Sequence, residues 1–278
     1  MKKTYIYALL AALLLAVVAI FFFYPDVLEG RVLQQSDMRQ GLANGHETQT
    51  FEQLTGEKPR WTNSLSSGMP TFQISPSYPA NSMLDWISGL YTLWLPSPAN
   101  LLFGMMLGFF IMLLCMKFKW YTALFGALGW GFSTYFIIII GAGHIWKFLT
   151  LMYIPPTIGG IALCYRGKYL QGMALAALFG SLQLMSNHIQ MTYYFVFVVV
   201  AMIIGWGITA YKEKKIRQWG IASVCVAVAA VLAVAANSAS LYNTYEYSKE
   251  TIRGKSTALT TGGVSGSSSG ADIGYITQ

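Results

Sequence analysis

Charge is what this sequence has least of. Of 278 residues only 10% are Asp, Glu, Lys or Arg, while 55% are hydrophobic, against roughly 25% charged in an ordinary soluble domain. Such a chain cannot cover a water-facing surface. Cysteine is also sparse: Cys115, Cys164 and Cys225 show no metal or redox spacing, which excludes a disulfide framework and leaves them as packing residues. No charged residue falls within the long apolar runs away from their ends. That absence argues against a proton- or ion-coupled transporter, which needs ionisable groups at the bilayer midplane.

What the chain does have is uninterrupted apolar sequence. A helix crossing the hydrocarbon needs about 20 apolar residues. Seven runs meet or approach that length: Thr4 to Phe23, Pro98 to Met116, Trp120 to Ala142, Phe148 to Tyr165, Tyr169 to Ser186, Ile189 to Tyr211 and Trp219 to Ala236. Pro155 and Pro156 remove two amide donors from the fourth run, which predicts a kink or break there. The first run is longer than a signal-peptide core and shows no small-x-small site before Pro25, so it reads as an uncleaved helix. The fold class expected is therefore all-α and integral to the membrane, with residues 1–240 as a multi-span domain and 241–278 as an extracytoplasmic tail.

With the amino terminus in the cytoplasm, the inside segments carry ten bases, among them Lys2, Lys3, Lys117, Arg166 and Lys215, against the single acid Glu213. Outside lie eight bases, ten acids and all three histidines, His46, His144 and His188. The net charge of +7 is then mostly the positive-inside bias of a bacterial inner-membrane protein. Bases spread over short hairpins do not make a nucleic-acid surface; anionic lipid head groups are the natural partners.

Residues 24–96 form a first external loop far longer than a passive connection requires. Near its end Asn81, Asp85, Ser88 and Thr92 fall on one helical face, with Met83, Leu84, Trp86, Ile87, Leu90, Tyr91 and Trp94 around the rest, predicting a helix lying on the membrane. The tail begins with the aromatic and polar run Tyr242 to Tyr247 and passes into Gly/Ser-rich sequence, Thr260 to Gly270, typical of a flexible segment.

The outer side holds the groups able to do chemistry: Asp37, Arg39, His46, Glu47, Glu52, Glu57, Lys58, Arg60, His144, Lys147, His188, Glu246, Lys249, Glu250 and Arg253. Loops normally collect such residues for solubility alone. Lys147 stands apart because it sits within a turn of a span on the side where the topology bias disfavours bases, and a lipid phosphate would suit it. The sequence identifies no cofactor, and one Asp without a second closely spaced carboxylate gives a divalent metal little support.

The ordered set Gln35-Ser36-Asp37-Met38-Arg39-Gln40, Thr55 to Ser64, Gly68 to Gln73, Gly141-Ala142-Gly143-His144, Asn187 to Tyr194 and Tyr247 to Gly254 resembles the YfhO family of bacterial membrane proteins, with members from the Bacteroidetes nearest. That resemblance implies a GT-C-type glycosyltransferase, with a polyprenyl-phosphate sugar as donor, a glycan or other cell-envelope polymer as acceptor, and an essential acid in the first external loop. Asp37 matches that acid, with Arg39, His144, Lys147 and His188 as candidates for the lipid phosphate. Family members are usually longer, so the chain is expected to be an amino-terminal part. Two other readings stand beside it: a lipid-linked oligosaccharide transporter or flippase, and a non-catalytic envelope scaffold.

Overall fold

The apolar runs become helices in the computed structural model, which describes residues 2–31, 33, 35–65, 68–73 and 82–249. Helix α1 (Lys2–Phe22) leads into an external segment containing α2 (Ser36–Asn44), α3 (His46–Thr55), the antiparallel pair β1 (Trp61–Thr62) and β2 (Met69–Pro70), a 3-10 turn (Thr71–Gln73) and α4 (Ser82–Tyr91). The rest is helical: α5 (Ala99–Cys115), α6 (Trp120–Gly131), α7 (Thr134–Ala142), α8 (Ile145–Tyr165), α9 (Tyr169–Met185), α10 (Ile189–Lys212), α11 (Ile216–Ala236) and α12 (Ser238–Lys249). Four helices, α1, α8, α10 and α11, are long and apolar enough to cross a membrane, and α6 with α7 makes a fifth if that bent pair is one span. Helices α5 and α9 are apolar but shorter, at 17 residues each. The protein is thus an all-α membrane protein.

The break predicted at Pro155 and Pro156 is not where the chain breaks. Helix α8 runs through both prolines as one element, whereas the run Trp120 to Ala142, expected to be continuous, divides at Phe132 and Ser133 with a bend of 48°. Gly129, Gly131 and Ser133 give that segment weak helix propensity, the usual cause of a sharp kink. Packing explains the survival of α8. Tyr153, Pro155, Pro156, Thr157, Gly159 and Gly160 are all buried, and α5 lies so close that a Cβ at Gly108 would sit 2.7 Å from the Met152 carbonyl freed by Pro156. Close packing of this kind is what lets proline persist inside a membrane helix.

The basic hairpins gather at one end of the bundle. Tyr7 stacks on Trp120 at 5.5 Å, joining the starts of α1 and α6. The Arg166 guanidinium donates to the Cys115 carbonyl at 2.9 Å, joining the ends of α8 and α5. The antiparallel course of the helices then sends the turns α7–α8 and α9–α10, with the external segment, to the opposite end.

Helix α4 forms where a helix is expected and packs on the bundle. Its inward side is mixed: Leu84 and Thr92 are buried, Ile87 packs against the core, Ser88 Oγ lies 2.7 Å from the Tyr153 hydroxyl, and Tyr91 donates to the Gly104 carbonyl at 2.7 Å, while Asp85 of the polar face is exposed. Met83, Trp86, Leu90 and Trp94 remain exposed. The hydroxyls find partners on buried Tyr153 and on the α5 backbone, so they need no water; Asn81, assigned to the same face, lies outside the described residues. The chain divides into two units after Ser240. Tyr242 to Tyr247 lies on α12, and Thr260 to Gly270 falls outside the described residues.

Helices α8 and α9 meet at glycines. A Cβ on Gly160 would lie 2.9 Å from the Gly172 carbonyl, and one on Gly172 would lie 2.6 Å from the Cys164 nitrogen. Backbone cannot swing aside as a side chain can. Gly172→Val is expected to destabilise the bundle by about 1–3 kcal/mol or more, measured as a lower unfolding midpoint in detergent; Gly205→Ala, where the added carbon meets open space, serves as the neutral control.

Candidate functional site

Three chain reversals build the site. Helix α7 ends on Gly143, whose φ of +85° is left-handed, and the His144 amide bonds back to the Ile139 carbonyl at 3.2 Å, the long bond of a glycine-terminated helix. His144 thereby becomes the residue that opens α8, with its carbonyl accepting from the Phe148 amide at 3.0 Å. Lys147 follows one turn later. The external segment is pinned against this reversal by buried Gln35, whose side-chain amide donates to the Ile140 carbonyl. Gln35 immediately precedes α2, so pinning it places Ser36 and Asp37 beside the turn. The third reversal uses Asn187, at φ +54°, a conformation Asn tolerates better than most side chains, and brings His188 to the start of α10.

Asp37 Oδ2 stands 2.7 Å from His144 Nδ1, with both side chains about half exposed. An ionised carboxylate only accepts, so Nδ1 carries the proton of that contact. Around the pair opens a cavity of about 610 Å³, within the range of ligand sites. Asp37, His144, Lys147 and His188 all line it, together with Met38, Gln40, Asn44, Leu65, Met69, Gln73 and Trp146. Arg39 shares α2 with Asp37 but is exposed and not among the lining residues. The Lys147 ammonium lies 5.4 Å from the Tyr135 ring centroid, which leaves its charge in reach of the cavity it lines.

Electrostatics sort these groups. Lys147 in the first turn of α8 is on the wrong end of a helix dipole for its own comfort and on the right end for holding an anion. Asp37, in the first turn of α2, is favourably placed. Burial lowers the His188 pKa below the ordinary imidazole range, and the charges of Lys147 and His144 push it the same way. Its Nδ1 is buried without a hydrogen-bond partner. The lowered pKa favours the neutral imidazole, which offers hydrogen bonds in place of a positive charge. Among the described residues no three His, Cys, Asp or Glu side chains are grouped to hold a metal ion.

The outer wall of the cavity comes from the hairpin and its neighbours. Glu47 Oε2 on α3 accepts from the Thr62 hydroxyl at 2.5 Å and from the Asn63 amide at 2.9 Å, and Ser64 donates to the Asn44 carbonyl at 2.7 Å. The Thr62 hydroxyl, with smaller help from the Asn63 and Ser64 amides, holds the Glu47 carboxyl below its ordinary pKa. Sequence reasoning placed Glu47 only among surface acids and passed over Gln35 and Trp146. Gln35 carried no signal beyond its place in the quoted motif; Trp146 sits between His144 and Lys147, and that adjacency was legible.

Comparison with protein-family models, curated proteins and solved structures gives no match. Inferences about function therefore rest on this chain's own residues and on the motifs above.

A Cβ at Gly143 would meet the Gln35 Cβ at 2.9 Å and the Met38 backbone nitrogen at 3.3 Å, so Gly143→Ala is expected to cost about 1–2 kcal/mol from the left-handed backbone alone, plus the clash. Gly141→Ala, with open space around it, should be near neutral in the same thermal unfolding assay. For Glu47, a depressed pKa means its contribution to stability is present above 4.5 and is lost as pH falls through the lower folded value. Amide exchange at Asn63 is expected to accelerate beyond its intrinsic pH trend only in that acid window.

Proposed function

We propose that this chain carries the catalytic face of a GT-C-type membrane glycosyltransferase, of the kind the YfhO-like motifs imply. In this reading it transfers a sugar from a polyprenyl-phosphate donor to a cell-envelope acceptor outside the bacterial inner membrane. The observation that carries the reading is one cavity lined by Asp37, His144, Lys147 and His188, at the end of the bundle away from the basic hairpins. Seven spans, counting α5, the α6–α7 pair and α9, and a cytoplasmic amino terminus complete the topology.

The acceptor hydroxyl oxygen attacks the anomeric carbon, the bond from that carbon to the lipid phosphate breaks, and the phosphate leaves with the electron pair, through an oxocarbenium-like transition state. The hydroxyl proton passes to Asp37 as general base. His144 engages Oδ2 and orients the carboxylate; Oδ1 takes only a long 3.4 Å bond from the exposed Ser36 hydroxyl, which the acceptor hydroxyl displaces. Lys147 stabilises the departing phosphate, and the amino-terminal end of α8 adds partial positive charge. Neutral His188 suits a sugar hydroxyl better than the phosphate role the motif resemblance implied for it, and Arg39, outside the cavity, has at most a role in approach. Membrane lipids surround the spans, with exposed Trp86 and Trp94 as interfacial anchors. The gathering of polar groups at one end, in place of several depths, favours a transferase over a flippase.

Membranes carrying the protein, supplied with polyprenyl-phosphate sugars, test the assignment. Asp37→Asn is expected to insert normally and to lose transfer by about 10²–10⁴-fold. Lys147→Met is expected to weaken polyprenyl-phosphate binding at least about tenfold. Wild-type transfer by Asp37→Asn would remove Asp37 from the base role.

A further inference from the structure

The external segment has an unusual energetic basis. Among the described residues, no hydrophobic side chain between Val27 and Leu84 is buried. What is buried there is polar: Gln35, Thr48, Thr62 and Thr71. Each is tied by a side-chain hydrogen bond, Thr48 to the Gly45 carbonyl at 2.8 Å, Thr71 to the Pro59 carbonyl at 2.8 Å, and Thr62 to Glu47. Without an apolar core, this wall of the cavity is held in place by hydrogen bonds. Neutral ones contribute modestly on balance, and those to a charged group contribute about twice as much.

One carboxylate takes two of these bonds. We infer that Glu47, which does not line the cavity, is a positioning residue that latches the β1–β2 hairpin to α3 and so holds Leu65, Met69 and Gln73 across the cavity from Asp37 and His144. The chain of contacts is continuous: Glu47 accepts from Thr62 and Asn63, the Thr62 hydroxyl lies 3.0 Å from Ser64 Oγ, Ser64 donates to Asn44, and Asn44 itself lines the cavity. Loss of the carboxylate breaks the bonds to Thr62 and Asn63 together, leaving the Ser64–Asn44 bond without support from a buried apolar side chain among the described residues of this wall. The inference rests on the cavity being the working site proposed above, but its physical content does not depend on which ligand fills it.

The test uses the intact protein in detergent and two readouts that need no ligand. Glu47→Ala is expected to accelerate amide exchange at Asn63 and Ser64 at least about tenfold, the weight of a charge-assisted bond. It is also expected to raise the rate at which diethyl pyrocarbonate modifies His144 across the opened cavity, relative to Lys212 at the far end of the bundle. Glu47→Gln keeps an acceptor oxygen and should fall between wild type and Ala, which also guards against a misfolded Ala variant. Unchanged exchange in Glu47→Ala overturns the latch. Accelerated exchange with unchanged His144 modification overturns the positioning role and leaves Glu47 a local structural residue. A wild-type protein that fails to bind a polyprenyl phosphate would sink the proposed donor class and leave this inference standing.

Discussion

The seating of Gln35 against the α7–α8 reversal is the contact on which the site depends. A buried side-chain amide reaching a backbone carbonyl more than a hundred residues away is costly to leave unpaired, so the contact fixes the start of α2 to the membrane domain. Gly143 makes the approach possible, since any side chain there would occupy the space of Gln35 and Met38. With that anchor set, Asp37 meets His144 and the cavity exists; without it, the acid and the imidazole belong to unrelated loops.

The membrane domain supplies rigidity to this arrangement. Helix α8 is the most enclosed of the candidate spans, carrying His144 and Lys147 at one end and fully buried Phe148, Met152 and Tyr153 below them. Close glycine contacts with α9 hold it from the side, and Ser88 and Tyr91 of α4 close over Tyr153 and Gly104. A charged group at the end of such a helix moves little. The opposite wall is different in kind: a small polar scaffold around Glu47 with no buried apolar side chain among its described residues. One rigid wall and one hydrogen-bonded wall give the cavity a fixed side and a side that can open locally.

Several features were legible from residues alone because they are local or compositional. Apolar runs dictate helices in lipid, where every backbone group must be paired within its own segment, and each of the seven runs holds helix. Charge asymmetry sorted the ends, and the same sorting appears in the contacts of Tyr7 with Trp120 and Arg166 with Cys115. Proline and glycine rules failed where packing outweighed them. Pro155 and Pro156 are carried through by the neighbours of α8, while the less conspicuous Gly129, Gly131 and Ser133 mark the bend.

By itself the sequence determined that the protein lives in a bilayer and where its helices run, and that its charges stay out of the apolar runs, since these follow from the cost of placing charge in hydrocarbon. It also offered Asp37, His144, Lys147 and His188 as candidates. Only the tertiary structure decided that these four share one cavity and Arg39 does not line it, that burial lowers the His188 pKa, and that Glu47 meets Thr62 and Asn63. Those outcomes depend on separations of a few ångströms between residues far apart in the chain, and local propensity carries no information about such distances.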